Sequence, residues 1–437
     1  MLPVSARWQN WARTESSRPA TVIAPETIDH VVRAVERARE TGHTVKPIGA
    51  SHSFTAIGAT DGIRIELDRM QGMVSADLAR GRVTLWGGTR LWQLPDILDP
   101  LGLALENMGD IDRQTITGAT QTGTHGTGLG YGGLASRVVG ATLVTGTGEV
   151  LTVDEAENAD LLPAVALGLG ALGVLVTVTI QCVPSYLLHA VEAPVPFEEV
   201  LESYEQRCRD SDHFEFYWFP HTEGTRTKTN TRMPVAAGAE PLGTVSRFVD
   251  EELVNNAALG GLVSFERWVP RSTPALNRMI EQVSSRRSYR DLSHRVFVTR
   301  RRVRFREMEY SVPLEAVPTA LRELRALIER RDYRVSFPIE VRAAAADDRL
   351  LSTASGRESG YLAVHRYFRD PDREYFREAE AVLAAHDGRP HWGKMHTQDA
   401  ASLSGRYPGF ERFLEARDRL DPDRVFANPY LRRVLGA

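Results

Sequence analysis

Apolar residues near the start of the chain follow a strand, helix, strand pattern. The segment "ATVIAP" (20–25) predicts a strand, and residues 26–42 carry apolar positions at helical spacing up to Gly42, which stands where a helix usually ends. The segment "TVKPIG" (44–49) predicts a second strand. A β-α-β unit of this kind has parallel strands and a right-handed crossover.

An uncharged stretch at residues 161–180 is long enough to cross a bilayer. Three glycines interrupt it, however, and residues 174–180, "VLVTVTI", are rich in the β-branched residues typical of strands. We therefore predict a short buried helix, a glycine turn and a buried strand. This interpretation leaves no integral membrane segment.

The pattern changes after about residue 185. Residues 213–222, "HFEFYWFPHT", and 303–313, "VRFREMEYSVP", predict long strands with large side chains on both faces, and 318–332 predict a helix between strands. This pattern indicates a large antiparallel sheet with helices. Because 437 residues exceed the usual size of a single core, we expect two domains in an α+β fold.

Composition excludes several classes of function. A net charge of −4 and a pI near 6.3 offer no electrostatic footprint for nucleic acid or an anionic membrane. The arginine run at 299–310 continues into Glu307 and Glu309, so we interpret it as a strand with one solvated face. Two cysteines cannot build a disulfide framework, and the start of the chain lacks a signal-peptide pattern, so we expect a cytoplasmic protein.

Two glycine patterns match G-x-G-x-x-G, at 128–133 and 168–173, but neither has the setting of a nicotinamide-dinucleotide fingerprint. That fingerprint requires a strand before the glycines and a helix after them. At 168–173 the predicted order is reversed, and residues after 133 read mainly as a strand. A Rossmann domain is therefore not predicted.

Two other loops form a different candidate phosphate site. Residues 47–53, within "PIGASHSF", and 116–128, within "ITGATQTGTHGTGLGYGG", combine small residues with hydroxyl side chains. Such loops allow backbone N–H groups to converge on an anion, and together they could hold a pyrophosphate. Two flexible surface loops would not explain why each contains a histidine. His52 and His125 are therefore candidates for cofactor contact.

These loops belong to a longer series of motifs that resembles a known family. With its motifs in the family's order, the chain resembles the sugar-lactone oxidases. This group of vanillyl-alcohol-oxidase-type flavoproteins contains L-gulono-1,4-lactone and D-arabinono-1,4-lactone oxidases and dehydrogenases. The motifs that carry the resemblance are "RPATVIAP…PIGASHSF" (18–54), "NMGDIDRQTITGATQTGTHGTG" (107–128), "GLGALGVLVTVT" (168–179), "FPIEVR" (337–342), "HWGK" (391–394) and "RLDPDRVFANPYLRRVLG" (419–436).

The resemblance implies a two-domain FAD-binding fold. Residues 1–185, completed by 405–437, would bind FAD, and residues 186–404 would form a substrate-binding cap on a large antiparallel sheet covered by helices. In many members the histidine matching His52 is bonded through a ring nitrogen to the 8α carbon of FAD. The implied cofactor contacts are Pro47, Ile48, Gly49, Ala50, Ser51, His52, Ser53, Gly109, Asp110, Thr115, Gly118, Thr122, Gly123, Thr124, His125, Gly128, Gly173, Val174 and His391.

Three further residues are candidates for catalysis. Glu340 and Arg342 stand two apart in a predicted strand, so both side chains leave the same face. A structural ion pair would explain this spacing equally well. The resemblance implies that Glu340, Arg342 and Lys394 converge over the flavin in the substrate pocket. A metal site at His386, His391 and His396 is not predicted, because their spacing does not align on one helix face and Pro390 intervenes.

The implied reaction is oxidation of a sugar lactone at C2 by hydride transfer to flavin N5, which gives an ascorbate-type product. Dioxygen or another acceptor would reoxidise the flavin. An alditol oxidase is the alternative, although this chain has Asp110 where those enzymes tend to have serine, and a flavin-free binding protein is a third. Gly109 is either a small residue that admits dioxygen, with hydrogen peroxide as second product, or a turn glycine.

Overall fold

A computed structural model describes residues 7–243, 266, 268–283, 285–299 and 303–437. Residues 300–302 of the arginine run lie outside this range, as does part of the predicted cap domain. Among the described residues, no helix combines the length and apolar character that a membrane crossing requires.

The strands are numbered in chain order. They are β1 (Trp8–Gln9), β2 (Ser16–Ser17), β3 (Thr21–Ile23), β4 (Val45–Ile48), β5 (Ile63–Glu66), β6 (Met73–Asp77), β7 (Arg82–Trp86), β8 (Leu103–Ala104), β9 (Val138–Val144), β10 (Val150–Asp154), β11 (Val174–Gln181), β12 (Val183–Pro184), β13 (Tyr186–Pro196), β14 (His213–Trp218), β15 (Gly224–Pro234), β16 (Arg287–Leu292), β17 (Phe305–Pro313), β18 (Ile339–Ala344), β19 (Ser359–Tyr367) and β20 (Arg389–Pro390).

The α-helices of the described residues are numbered in the same way. They are α1 (Ile28–Thr41), α2 (Leu94–Leu98), α3 (Ile116–Gln121), α4 (Leu162–Val165), α5 (Phe197–Glu202), α6 (Tyr204–Arg209), α7 (Thr273–Val283), α8 (Ser293–Phe297), α9 (Val317–Arg330), α10 (Arg373–Ala385), α11 (Ala400–Ser404), α12 (Phe410–Leu420) and α13 (Pro429–Leu435).

The predicted β-α-β unit is present, with one addition. Strands β3 and β4 are parallel, as expected, but β5 lies between them in a three-stranded parallel sheet. Helix α1 begins at the N-cap Thr27 and ends at Gly42, whose left-handed backbone stops the helix. The loop after β4 therefore leaves from the carboxyl end of a parallel strand, where α/β proteins commonly place ligands.

A five-stranded antiparallel sheet, in the order β10-β9-β11-β7-β6, completes the first part of the chain. The uncharged stretch 161–180 folds as predicted, with helix α4, a glycine turn and the buried strand β11. Gly173 permits this turn to pack tightly, because a Cβ there would lie 2.7 Å from the carbonyl oxygen of Val144.

The second part of the chain forms the predicted large antiparallel sheet, to which the described residues contribute eight strands in the order β16-β13-β15-β14-β18-β19-β17-β20. One face is apolar and packs against helices α5, α6, α9 and α10. Because side chains alternate between faces, the residues between these apolar positions point the other way. They include Glu215, Glu307, Glu309, Glu340, Arg342 and His365.

That alternation corrects one prediction. Glu307 and Glu309 are each only 5% exposed, so their face of β17 is buried and is not the solvated face expected from the arginine run. A strand face that is solvated and one that is buried can both show a charged residue at every second position. What the pattern could not show is that another part of the chain covers this face.

The last segment of the chain returns to the first part of the fold. The N–H of Val45 donates to the carbonyl of Val425 at 2.8 Å, and the N–H of Gly146 donates to the carbonyl of Leu420 at 2.8 Å. The Asn428 side-chain amide donates to three carbonyls of residues 56–59, each at 3.0 Å. Residues 403–435 also share a hydrophobic core with residues 135–175.

Candidate active site

The two segments predicted as loops line one elongated cavity of about 880 Å³. The prediction for 116–128 was partly wrong, because its first residues form helix α3 (Ile116–Gln121) and only the remainder is a loop. All of residues 47–53 border it, together with Thr115, Gly118, Thr122 and Gly173. Other lining residues were not predicted from the sequence: Trp8, Lys46, Thr55, Ile57, Gly58, Leu67, Gln114, Thr117, Gln121, Leu169, Gly170 and Leu175. We call this space the cofactor cavity.

The loop at 47–53 touches the start of helix α3, where Gly49 meets the N-cap residue Thr115. A Cβ on Gly49 would lie 2.3 Å from the Thr115 hydroxyl, so only glycine allows this approach. Lys46 lies just before the loop, and its ammonium donates to the carbonyls of Gly170 at 3.0 Å and Phe426 at 3.2 Å. Burial lowers the pKa of Lys46 to about 7.

Ser51 has a left-handed backbone, with φ of 57°, which is uncommon for a residue other than glycine. The Trp8 indole donates to its hydroxyl at 2.9 Å, and the N–H of Trp11 donates to its carbonyl at 2.8 Å. These bonds hold the turn that carries His52, whose ring lies 5.7 Å from the Trp11 ring. Strained backbone of this kind clusters at functional sites.

A second cavity, of about 740 Å³, adjoins the first and shares His52, Ser53, Gln114 and Thr122 with it. We call it the reaction cavity. The predicted residues Gly109, Asp110, Thr124, His125, Glu340, Arg342, His391 and Lys394 also line it. Trp11, Phe54, Ile111, Phe305, Glu307, Glu309 and Gly393 line it as well but were not predicted.

Arg342 lies among three carboxylates at one side of the reaction cavity. Its guanidinium contacts Glu340, donates through Nε to Glu215 at 3.0 Å and lies 3.7 Å from Asp110. Burial alone would lower the pKa of Arg342, but these carboxylates hold it well above the ordinary value. The Tyr217 hydroxyl donates to Glu340 at 3.0 Å, so the acid that pairs with Arg342 is itself oriented.

Lys394 lies at another side of the same cavity because the "HWGK" segment runs along β17. The N–H groups of His391 and Met395 donate to the carbonyls of Glu309 and Glu307, each at 2.9 Å. This alignment brings the Lys394 ammonium into contact with the Glu307 carboxylate. Burial would lower the pKa of Lys394, but Glu307 and Glu309 raise it above the ordinary value, so the side chain stays charged.

A third group, His125, Glu309 and His391, brings nitrogen and oxygen atoms within 4.8 Å of one another. His125 faces acceptors on both sides, because Nδ1 lies 2.9 Å from the Gly126 carbonyl and Nε2 lies 3.2 Å from Glu309. Nδ1 of His391 accepts from the N–H of Gly393 at 3.0 Å.

The environment of His391 determines the protonation state of its ring. Burial lowers the pKa of His391 to about 4, so its ring is neutral and carries hydrogen on Nε2, away from the accepting Nδ1. In this protonation state the three side chains form a cluster around the Glu309 carboxylate, with His125 Nε2 at 3.2 Å from it. The other two histidines of the region lie elsewhere: His386 pairs with Glu323, and His396 with Tyr430.

Three predicted cofactor contacts lie outside the linings of both cavities. Gly123 lies in the turn after α3, with a left-handed backbone. Gly128 donates its N–H to the carbonyl of Ala343 at 2.8 Å and so joins the glycine loop to β18. Val174 begins β11 and is buried in the core.

A sequence model of the D-arabinono-1,4-lactone oxidase family matches residues 178–434, which is more than half of the chain. The chain belongs to that family. An FAD binding domain model matches residues 19–154, the segment that carries both loops of the cofactor cavity.

Relatives of this D-arabinono-1,4-lactone oxidase family member match it almost end to end. An L-gulono-1,4-lactone dehydrogenase of Mycobacterium tuberculosis is 41% identical over 433 residues, which cover 99% of this chain and all of that protein. An L-gulonolactone oxidase of Bos taurus is 33% identical over 442 residues, with 98% of each chain covered. The cholesterol oxidase of Brevibacterium sterolicum shares the fold, with a TM-score of 0.81 at 18% identity and full coverage of both chains.

The residues of this family member fit FAD, the cofactor that the matched domain indicates. The loop at 47–53 meets the N-cap of helix α3 at Gly49 and Thr115, with backbone N–H groups and hydroxyls around them, as a pyrophosphate requires. Several leucines and isoleucines also line the cofactor cavity and suit a flat aromatic ring system. His52 lies at the junction with the reaction cavity, where the reactive end of the cofactor must meet the substrate.

Proposed function

We propose that this protein oxidises the C2 hydroxyl of a sugar 1,4-lactone, such as L-gulono-1,4-lactone, with FAD as cofactor. The observation that carries the proposal is the reaction cavity, where Arg342 and Lys394 reach a space that opens onto the cofactor cavity at His52. The matched family and the names of the relatives support the substrate class. Nothing in the comparisons favours an alditol.

The substrate would lose a hydride from C2 and a proton from its hydroxyl. FAD, when bound, supplies the hydride acceptor. Arg342 is a buried cation and Lys394 a partly buried one, and they lie on two sides of the cavity, so they stabilise negative charge that develops on the substrate oxygen. Glu340, held by Arg342 and Tyr217, accepts hydrogen bonds from substrate hydroxyls and orients the ring. The product, a 2-keto lactone, enolises to an ascorbate-type compound.

A substrate panel tests this proposal. We expect anaerobic L-gulono-1,4-lactone or a related aldonolactone to bleach the flavin absorbance of the purified protein faster than xylitol or sorbitol does. Parallel assays with oxygen and with cytochrome c or a dye identify the acceptor. Faster bleaching by a polyol would establish the alditol alternative, and a colourless protein that FAD cannot reconstitute would exclude both enzymes.

We also propose that residues 1–185 with 405–437 form the FAD-binding domain and that residues 186–404 form the cap. The hydrogen bonds that join Val425 to Val45 and Asn428 to Ala56 support the assignment of the last segment to the FAD-binding domain. A cytoplasmic location is supported by Cys182 and Cys208, which are both buried and unpaired.

We propose that Gly109 governs access of dioxygen, so that the protein has some oxidase activity with hydrogen peroxide as second product. Gly109 lines the reaction cavity, and its backbone is outside the left-handed region, so turn conformation does not explain it. A Cβ there would lie 3.1 Å from the His125 carbonyl and 3.3 Å from a Thr124 methyl carbon. The absence of a side chain at Gly109 therefore lets its backbone lie close to His125 and Thr124.

The Gly109→Ala variant is expected to reoxidise markedly more slowly with oxygen in stopped-flow experiments, while its reduction by lactone changes little, because the added methyl fills space beside the cavity. Gly130→Ala is a matched control, since a Cβ at Gly130 meets no atom within 4 Å. Equal reoxidation rates in Gly109→Ala and the wild type would limit Gly109 to a packing role.

A further inference from the structure

The chain has only three lysines among its 53 basic residues, and each of them lines a different cavity. Lys394 lines the reaction cavity and contacts Glu307. Lys228 lines a cavity on the cap sheet, and its ammonium lies 3.6 Å from Glu215. Lys46 lines the cofactor cavity, and it differs from the other two because no carboxylate of the described residues forms an ion pair with it.

Strand β4 directs Lys46 toward the glycine turn. Val45 packs into a hydrophobic core, so the next side chain along the strand leaves from the opposite face. There the ammonium donates to the carbonyls of Gly170 at 3.0 Å and Phe426 at 3.2 Å. Lys46 is 2% exposed, and its charged end therefore lies where three distant parts of the chain meet.

One donor of this ammonium remains available to a ligand. An ammonium group carries three N–H donors, and the two carbonyls use two of them. Of the described residues that line the cofactor cavity, none is an arginine, aspartate or glutamate. Burial lowers the pKa of His52 to about 4, so its ring is neutral. Lys46 is therefore the side chain of the cavity lining that can offer positive charge to a bound anion.

The charge of Lys46 suits the diphosphate of FAD, which is an anion at neutral pH. Burial of an anion is costly unless it is paired and hydrogen-bonded. The loop at 47–53 offers backbone N–H groups and hydroxyls, which are neutral donors. Hydrogen bonds between charged partners are stronger, and an ammonium is a compact point charge. The Gly170 and Phe426 carbonyls hold that charge at the cavity before any ligand binds.

The charged groups around Lys46 leave this role open to it. Asp421 raises the pKa of Lys46 and Arg417 lowers it, while burial has the largest effect and lowers it to about 7. The Asp421 carboxylate accepts from two backbone N–H groups of the following loop, at 2.7 and 3.0 Å. Arg64, which stands opposite Lys46 in the register of β4 and β5, pairs with Glu66 at 2.9 Å.

We propose that the Lys46 ammonium binds the diphosphate of FAD and supplies its compensating positive charge. The inference rests on FAD as the cofactor, which is part of the proposed function, and not on the identity of the lactone. A bound diphosphate raises the pKa of the ammonium beside it, so binding of FAD takes up a proton. The affinity for FAD is therefore complete below the pKa of Lys46 in the cofactor-free protein and falls as the pH rises above it.

The test measures the dissociation constant of FAD by flavin fluorescence between about pH 6 and pH 9. It uses the full chain with His52→Ala, in which binding is expected to be reversible. Adding Lys46→Met should weaken binding at the lower pH by about 10- to 100-fold, the usual scale for a hydrogen bond between charged groups, and should remove the pH dependence. ADP, which carries the diphosphate without the flavin, should show a similar loss when it competes with FAD.

Lys228→Met is the matched control. It removes another lysine that donates to a backbone carbonyl, that of Val296 at 2.9 Å, and it lies outside the cofactor-cavity lining. This variant should keep both the affinity for FAD and its dependence on pH.

An unchanged affinity for FAD in Lys46→Met would overturn the inference, and a loss of thermal stability alone would limit Lys46 to joining β4 to Gly170 and Phe426. Equal affinity at both ends of the pH range in the parent protein would overturn it as well, and this measurement does not require Lys46→Met to fold. A wild type that binds FAD as expected but is reduced by no lactone would instead contradict the proposed function.

Discussion

The Arg342→Met variant is expected to reduce its flavin at least ~10²-fold more slowly than the wild type, and Lys394→Met should show a loss of similar size. Methionine keeps much of the side-chain volume but removes the charge that stabilises the substrate oxyanion. The measurement is anaerobic stopped-flow absorbance with saturating lactone. Each variant must first show a flavin spectrum, so that the rate reports chemistry and not cofactor loss.

Arg342→Met also leaves Glu340, Glu215 and Asp110 without their shared cation. Arg389→Met is the control for loss of a buried arginine, because Arg389 donates to the carbonyls of Thr353 and Ser355 and lies outside the reaction-cavity lining. It should reduce its flavin near the wild-type rate. Near-normal rates in both Arg342→Met and Lys394→Met would show that the chemistry takes place elsewhere.

The second large effect concerns attachment of the cofactor. We propose that His52 is bonded through a ring nitrogen to the 8α carbon of FAD, so acid precipitation of the wild type should leave the yellow colour with the protein. His52→Ala should release all of it to the supernatant. His125→Ala should keep the colour in the pellet, because both ring nitrogens of His125 already face Gly126 and Glu309. Complete release of flavin from the wild type would refute the tether while leaving the fold unaffected.

The protonation state of His52 adds a pH expectation. Burial lowers the pKa of His52 to about 4, and the positive charges of Lys394, Arg90 and Arg113 lower it in the same direction. Because the pKa is lowered, the neutral ring with its nucleophilic lone pair predominates at every pH above that value. The rate of tether formation in apoprotein supplied with FAD should therefore change little between about pH 6 and pH 8. A rate that rises steeply over this interval would mean that His52 titrates near its ordinary pKa.

Much of the candidate site was visible in the sequence because its residues lie in short continuous stretches. The segments 47–53 and 116–128 could be predicted to border the cofactor site from glycine, hydroxyl and histidine content alone, although helix α3 in the second segment was missed. Glu340 and Arg342 could be placed on one face because side chains alternate along a strand. Their role remained open between an ion pair and catalysis, and the structure places them in contact with each other and beside the reaction cavity.

Glu307 and Glu309 show where the sequence was insufficient. Their alternation in β17 has the same form as that of Glu340 and Arg342, yet they were assigned to a solvated face. Burial of a strand face depends on what packs over it, and here the covering elements come from distant positions: the loop with His125 and the segment with His391. Local periodicity contains no information about such contacts.

By itself, the sequence determined the β-α-β unit, the buried strand after the glycine turn, the large antiparallel sheet and the loop at 47–53, since each depends on periodicity or on backbone freedom within a few residues. Only the tertiary structure decided that β5 enters between β3 and β4, that residues 403–435 pack on the first part of the chain, and that Glu307 faces both Lys394 and His365. These features join residues far apart in the chain, and the free energy that selects them arises from burying surfaces that meet only once the whole chain has folded.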